Sequence, residues 1–284
     1  MILAPRRRTG ARLVTLDRAL ERLPLFRLSD SASTEDVAIT YAADGGERWR
    51  VLPSPGDRLP GTFDQDVYVE LLHRYHEAGA PDDGVVTFTL HSFLRSIGRR
   101  ADGRTYEQLR GALTRLERTT LESQGAYCGP DGRPSRQRFT VLSSVAIDRR
   151  RLVDREQLAL FPQLLGSDPG DARAIVSPTV RANVDAGQTS TLVLATYHAL
   201  ASPVARRLYR LLAVMLDEDA GRWCVLLDRL AEQLPLAQRY PSHLQRVLQP
   251  AHDMLVAAGV IRAVTIRQDG REWLVEYRGG EKGK

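Results

Sequence analysis

A row of apolar positions that occurs twice is the strongest constraint on this chain. Phe88, Leu90, Phe93 and Ile97 fall on Val225, Leu227, Leu230 and Leu234 at a shift of 137 residues. Leu109, Ala112, Leu116 and Leu121 fall on Leu248, Ala251, Leu255 and Val260 at a shift of 139. Identity between the halves is low, so what repeats is a pattern, the mark of a duplicated supersecondary unit. A two-residue longer turn in the second copy accounts for the change in shift.

Each copy reads in the same order. In the first, "FDQDVYVELLHRYHEAG" is a helix with Asp64 as N-cap and Val67, Leu71, Leu72 and Tyr75 as its apolar stripe. "VVTFTLHSFLRSIG" is a strand feeding a short helix. A long helix follows, then two strands around "GAYCGPDGRPSRQR". In the second, Ser202 caps a helix with Pro203 at its first position, and "WCVLLDRLAEQLP" is strand plus helix. "YPSHLQRVLQPAHDMLVAAG" is a long helix with Pro250 inside it, where a lost hydrogen bond favours a kink, and a hairpin turns at Asp269-Gly270. Helix, strand, helix, helix, hairpin is the order of a winged helix. The expected fold is α+β: two tandem winged-helix domains plus an N-terminal arm and hairpin. The boundaries are 1–57 for a loose basic arm (Arg6, Arg7, Arg8, Arg12) and a hairpin about Asp44-Gly45-Gly46, and 58–151 for the first domain. Residues 152–190 join the domains, with an extra strand at "ARAIVSPTVRANV", and 191–284 form the second.

The long helix of the first copy carries the function-bearing pattern. Thr105-Tyr-Glu-Gln108 reads as a capping box, and Leu109, Ala112, Leu113 and Leu116 form the core face. Gln108, Gly111, Arg115 and Arg118 fall on the opposite face, and Arg104 lies in the turn just before the helix. Arg104, Gln108, Arg110 and Arg115 are the candidates to pair with base edges in a major groove. Gly111 leaves room there for a close approach. Arg95, Arg99 and Arg100, in and after the preceding short helix, are placed for phosphates, as are Arg133, Arg136 and Arg138 of the expected wing. In the second copy Ser242-His-Leu-Gln245 reads as a capping box, and Arg246 and Gln249 are the base-reading candidates.

Charge supports a polyanion partner. Residues 91–151 hold thirteen arginines against six acids, while the rest of the chain holds 27 basic and 29 acidic residues. The whole excess of +5 therefore sits in one segment, the footprint expected of double-stranded DNA binding. Cys128 and Cys224 cannot make a disulfide framework or a four-ligand zinc site. There is no phosphate-loop signature, no nicking His pair with a metal set, and no nucleophile with a base. His73 and His76 share a helix face without further ligands. The expectation is a non-enzymatic, cofactor-free cytoplasmic protein without a membrane span. A winged-helix transcriptional regulator and a protein-interaction module remain open alternatives, because fold alone does not decide function.

Three motifs in order, "LPGTFDQDVYVELL", "FTLHSFLRSIGR…GRTYEQLRGALTRLERTTLES" and "LASPVARRLYRLL", resemble the plasmid replication initiator proteins of the initiator-protein-A group. "RVLQPAHDML" is similar to a helix of related iteron-binding initiators. The resemblance spans roughly residues 59–260. It implies binding to repeated sites at a plasmid origin, opening of the duplex, recruitment of host helicase, and self-association as a dimer that gives way to a DNA-bound monomer.

Overall fold

The computed structural model describes residues 11–28, 38–43, 45–147, 171–238 and 240–280. Its first element, β1 (Leu13–Asp17), runs directly into α1 (Arg18–Glu21), which Asp17 caps by accepting from the Ala19 and Leu20 amides. Val14, Leu16 and Leu20 are buried. The expected loose arm is thus corrected over 13–20: the short alternation "LVTLD" outweighs the arginines around it. Arg6, Arg7 and Arg8 lie outside the described residues. β2 (Ile39–Ala42) and β3 (Arg48–Leu52) form the expected antiparallel hairpin, with Asp44 of its turn outside the described residues. Trp49 on β3 is fully buried, and its indole N–H donates to the Pro24 carbonyl at 2.7 Å.

The first copy of the repeat follows: α2 (Thr62–Glu77), β4 (Val85–Thr89), α3 (Leu90–Ser96) and α4 (Gly103–Arg118). Two helix starts differ from expectation. Gly61, not Asp64, is the N-cap of α2; Asp64 sits three residues in and accepts from the Gly61 amide at 2.6 Å. α4 starts at Gly103 rather than Thr105. Asp102 accepts from the Thr105 amide and the Thr105 hydroxyl accepts from the Asp102 amide, both at 3.0 Å. Threonine closes this box where the sequence rule asks for Glu or Gln, which drew the expected start two residues late.

β5 (Thr120–Cys128) and β6 (Pro134–Phe139) form the hairpin expected to be the wing, but they do not pair with β4. They extend the N-terminal hairpin into a four-stranded sheet, β2-β3-β5-β6. Trp49, Tyr127 and Phe139 cluster beneath it, with ring centroids 4.9–6.5 Å apart. That aromatic cluster explains the choice of partner: pairing β5 with β3 buries all three rings. β4 instead joins β7 (Leu142–Ile147) and β8 (Asp171–Val176) in the order β4-β8-β7. β8 lies in the stretch read as a connector, yet it is the central strand of this sheet. After β8 the same stretch forms a helix, α5 (Pro178–Asp185), capped by Ser177.

β9 (Thr189–Val193) pairs antiparallel with β1 and leads into α6 (Leu194–Ala199). The second copy is α7 (Pro203–Glu218), β10 (Arg222–Leu226), α8 (Leu227–Gln233), α9 (Pro241–Ala257), β11 (Ile261–Asp269) and β12 (Glu272–Gly279). Ser202 caps α7 as expected. The expected box at Ser242 does not form: α9 begins at Pro241 after Tyr240, which makes no side-chain cap, and the helix continues through Pro250. Its sheet order, β10-β12-β11, repeats β4-β8-β7. The apolar match holds on the helices, whereas Ile261 rather than Val260 is the buried residue opening β11. The chain is α+β.

The Asp17 carboxylate ties three regions together. Besides capping α1 it accepts from the Tyr127 hydroxyl of β5 and from the Asn183 side-chain amide of α5 at 3.1 Å. Burial outweighs these bonds and raises its pKa to about 6. A raised carboxylate pKa contributes stability that is present below the unfolded value and is lost as pH rises through about 6. Asp17→Asn lacks this loss, so its stability relative to the parent should climb by about 2–3 kcal/mol between pH 4 and pH 7. Urea unfolding across that range checks it; a pH-independent difference would refute the assignment.

Candidate nucleic-acid interface

α4 presents its core face as expected: Leu109, Ala112, Leu113 and Leu116 are buried. It is held from two sides. α2 packs along it, and the Glu117 carboxylate accepts from the Val145 amide of β7 at 2.9 Å.

The arginines divide into two sets. Arg104 and Gln108, in the N-terminal half of α4, are exposed, as are Arg95 and Arg100 nearby. The C-terminal half is engaged within the molecule. Arg115 donates from Nε and Nη2 to the buried Asp64 carboxylate at 3.1 and 2.7 Å, a two-pronged pair linking α4 to α2. A Cβ on Gly111 would sit 3.2 Å from Arg115 Nη1. Gly111 therefore makes room for the Arg115 guanidinium lying across it. Arg118 pairs with Asp57 at 3.2 Å, and the Ser54 hydroxyl donates to the Arg118 carbonyl. Arg110 is half-buried and paired with Glu107 on its own helix. Arg99 lies over the Phe63 ring with Asp66 at 3.8 Å.

The other candidates fall on separate elements. Arg133 sits 3.8 Å from Asp131 at the tip of the β5–β6 hairpin, and Arg138 3.1 Å from Glu122. Arg136 is exposed on β6. On α9, Arg246 is exposed, while Gln249 donates to Asp253 at 2.8 Å. His252 on the inner face of α9 bonds the Tyr277 hydroxyl, and burial lowers its pKa to about 4, so it packs as a neutral ring.

Sequence reasoning missed the joint between the two copies. Glu21 of α1 is buried between Arg207 and Arg210 of α7 and accepts from the Tyr68 hydroxyl of α2 at 2.9 Å. Arg210 also reaches Gln65 at 3.1 Å and lies over the rings of Phe26 and Tyr68. Burial and the neighbouring Arg210 bring Arg207 down to about 9, which leaves it charged at neutral pH. Alongside, Asp66 takes Arg206 at 2.6–2.7 Å and the Tyr197 hydroxyl at 3.0 Å. The signal was present as charges interrupting apolar runs, "FDQDVYVELL" and "VARRLYRLL". A single helical stripe does not explain charge on the inward side; a helix buried all round does.

Comparison with known proteins accords with this arrangement. The family model described as Replication initiator protein A matches residues 16–253. A curated protein of Wigglesworthia glossinidia brevipalpis, named for a role in replication, is 28% identical over 108 residues, which are 37% of this chain and 38% of that protein. The chain thus spans well under half of that relative's length. Among solved structures, domains 2 and 3 of RctB align with a TM-score of 0.55 at 12% identity, covering 91% of this chain and 96% of that one. The Pi initiator protein, solved in complex with iteron DNA, aligns with a TM-score of 0.50 at 13% identity, covering 96% and 99%. At such identities the likeness is one of fold.

Proposed function

The chain belongs to the replication initiator protein A family, and on that premise we propose that it binds double-stranded DNA at the repeated sites of a plasmid origin through two winged helices. The first is α2, β4, α3 and α4 with β7 and β8 as its wing strands. The second is α7, β10, α8 and α9 with β11 and β12. The observation that carries this reading is the repeated strand order, β4-β8-β7 and β10-β12-β11, each beside a helix whose outward face is polar. In such a unit the second long helix enters the major groove by its N-terminal half. Arg104 and Gln108 are exposed on that half of α4, with Arg95 and Arg100 beside them for phosphates. Arg246 is exposed on the N-terminal half of α9. Arg115 and Arg110, already paired, act as supports rather than readers. The basic β5–β6 hairpin with Arg133, Arg136 and Arg138 gives a further phosphate-facing edge.

The protein acts by binding, not by catalysis, in the cytoplasm. The same proposal extends to duplex opening, helicase recruitment and self-association, for which the family resemblance is the support. None of the described helices is long and apolar enough to cross a membrane.

Footprinting on the replicon's own intergenic DNA tests the proposal. Regularly spaced protected repeats are expected, with log affinity falling against log salt by about 0.9 per phosphate contact. Protection of a promoter without repeats would favour a transcriptional regulator. Absence of protection at low salt would leave a protein-interaction module.

A further inference from the structure

A cleft of about 480 Å³ opens where the two copies meet, between the turn after α3 and the start of α7. Arg95, Arg99, His198 and Arg206 line it, with the buried carboxylate of Asp66 at its floor. Asp66 accepts from Arg206 and the Tyr197 hydroxyl and lies 3.8 Å from Arg99, so one negative charge stands against three guanidinium groups. The wall is left with an excess of two positive charges. Arg206 spends Nε on the Leu200 carbonyl at 2.7 Å and Nη1 on Asp66, which leaves Nη2. Arg99 is about half-exposed and held over Phe63, so its guanidinium is oriented without being used up. Arg95 is exposed. His198 Nε2 is enclosed, yet among the described residues it has no hydrogen-bond partner. Pro203, the first residue of α7, lies on the same wall, where the helix dipole adds partial positive charge.

Convergent donors with no acceptor to spare suit a tetrahedral oxyanion better than a cation or an apolar group. We propose that this cleft is a binding site for one phosphate group. Its expected source is the DNA backbone, a step that rests on the DNA-binding reading above. Arg99 is only five residues before Arg104 of α4, and the cleft is lined both by the turn that precedes α4 and by the start of α7. A phosphate held there by residues of both copies would fix their separation on the duplex. A free phosphoanion has the same chemistry and is the other source.

The experiment uses the full chain, with Arg95→Ala and His198→Gln as variants. Both change groups that line the cleft but leave the Asp66–Arg206 pair intact. Phosphate-ethylation interference on a duplex carrying the protected repeat is the first arm. One phosphate between the two groove sites should interfere with the parent, and that position alone should become indifferent in both variants, with about tenfold weaker binding. Thermal unfolding without DNA, in inorganic phosphate against chloride at equal ionic strength, is the second arm. The parent should gain about 2–4 °C and the variants should not. Interference that depends on both residues establishes the backbone as source. A phosphate-specific thermal shift without such interference establishes the site and assigns it to a free anion. If neither arm distinguishes parent from variants, the site is refuted. Should the duplex not bind at all, the DNA reading fails while the thermal arm still decides the cleft.

Discussion

Glu21→Ala should cost about 3–5 kcal/mol of unfolding free energy. Glu21 is 1% exposed, with Arg210 at 3.0 Å and Arg207 at 3.7 Å. Removing it strands two buried guanidinium groups. Arg207 keeps the Glu21 and Leu23 backbone carbonyls at 2.8 and 3.0 Å, so it remains hydrogen-bonded but loses its counter-charge. Arg210 keeps Gln65 and two aromatic faces. The Tyr68 hydroxyl loses its acceptor as well. An uncompensated buried charge is more costly than the pair itself was favourable. Two comparisons separate these effects. Glu21→Gln keeps an acceptor for Tyr68 and should lose less than alanine. Glu21→Leu combined with Arg210→Met removes both charges and should recover much of the loss. Urea midpoints measure all three. A loss below about 1 kcal/mol for Glu21→Ala would mean that water reaches the joint.

The consequence reaches beyond stability, because this cluster connects α1, α2 and α7. α1 comes from the segment expected to be a loose arm, α2 opens the first copy and α7 opens the second. Each copy carries a long helix with a polar outward face on its own scaffold, and the buried charges between α2 and α7 hold those scaffolds together. If the helices read DNA as proposed, the same charges set their relative placement. A buried ion network is a directional joint, satisfied in one arrangement, whereas an apolar interface tolerates sliding. That specificity is the physical reason to expect charged rather than apolar residues here.

What was legible in the sequence, and what was not, follows from the range of each interaction. Strand-to-helix steps such as Val85–Ser96 and Arg222–Gln233 depend on neighbours within a dozen residues, and they were read correctly. The core face of α4 was legible for the same reason. Pairing partners were not. β5 and β6 look like a wing because they follow α4 directly, but Trp49, more than 70 residues from Tyr127, draws them to the N-terminal hairpin. β8 pairs with β4 across more than 80 residues, with no local mark of it. The site followed the same division. Exposed arginines in and before α4 were visible as a one-signed cluster, but which of them were already paired depended on Asp57, Asp64 and Asp66, all distant in the chain. A helical wheel places Arg115 beside Gln108; only the α2 contact separates their roles.

That separation yields the second large effect. Replacing Arg104 and Gln108 together by alanine should weaken binding to the protected repeat by about 2–6 kcal/mol, at 1–3 kcal/mol for each base-directed pair lost. Both side chains are exposed on the N-terminal half of α4, and the helix should keep its fold because the Asp102–Thr105 box and the four buried apolar residues are untouched. Binding to random DNA should fall much less, since that affinity comes from phosphate contacts elsewhere. The double variant should therefore lose discrimination with little change in the salt slope. Arg115→Ala is the informative contrast. It removes the partner of a carboxylate that is only 3% exposed, so it should lower unfolding stability by about 2–4 kcal/mol while leaving base preference nearly intact. Binding to a panel of single-base-pair substitutions in the repeat, paired with urea unfolding of each variant, reads both quantities. If Arg115→Ala flattens preference at one base pair without loss of stability, Arg115 is a reader and the division of α4 into a reading half and a supporting half is wrong. If the double variant keeps its preference at every position, α4 does not enter the groove at all, and the reading role passes to α9 or to the β5–β6 edge.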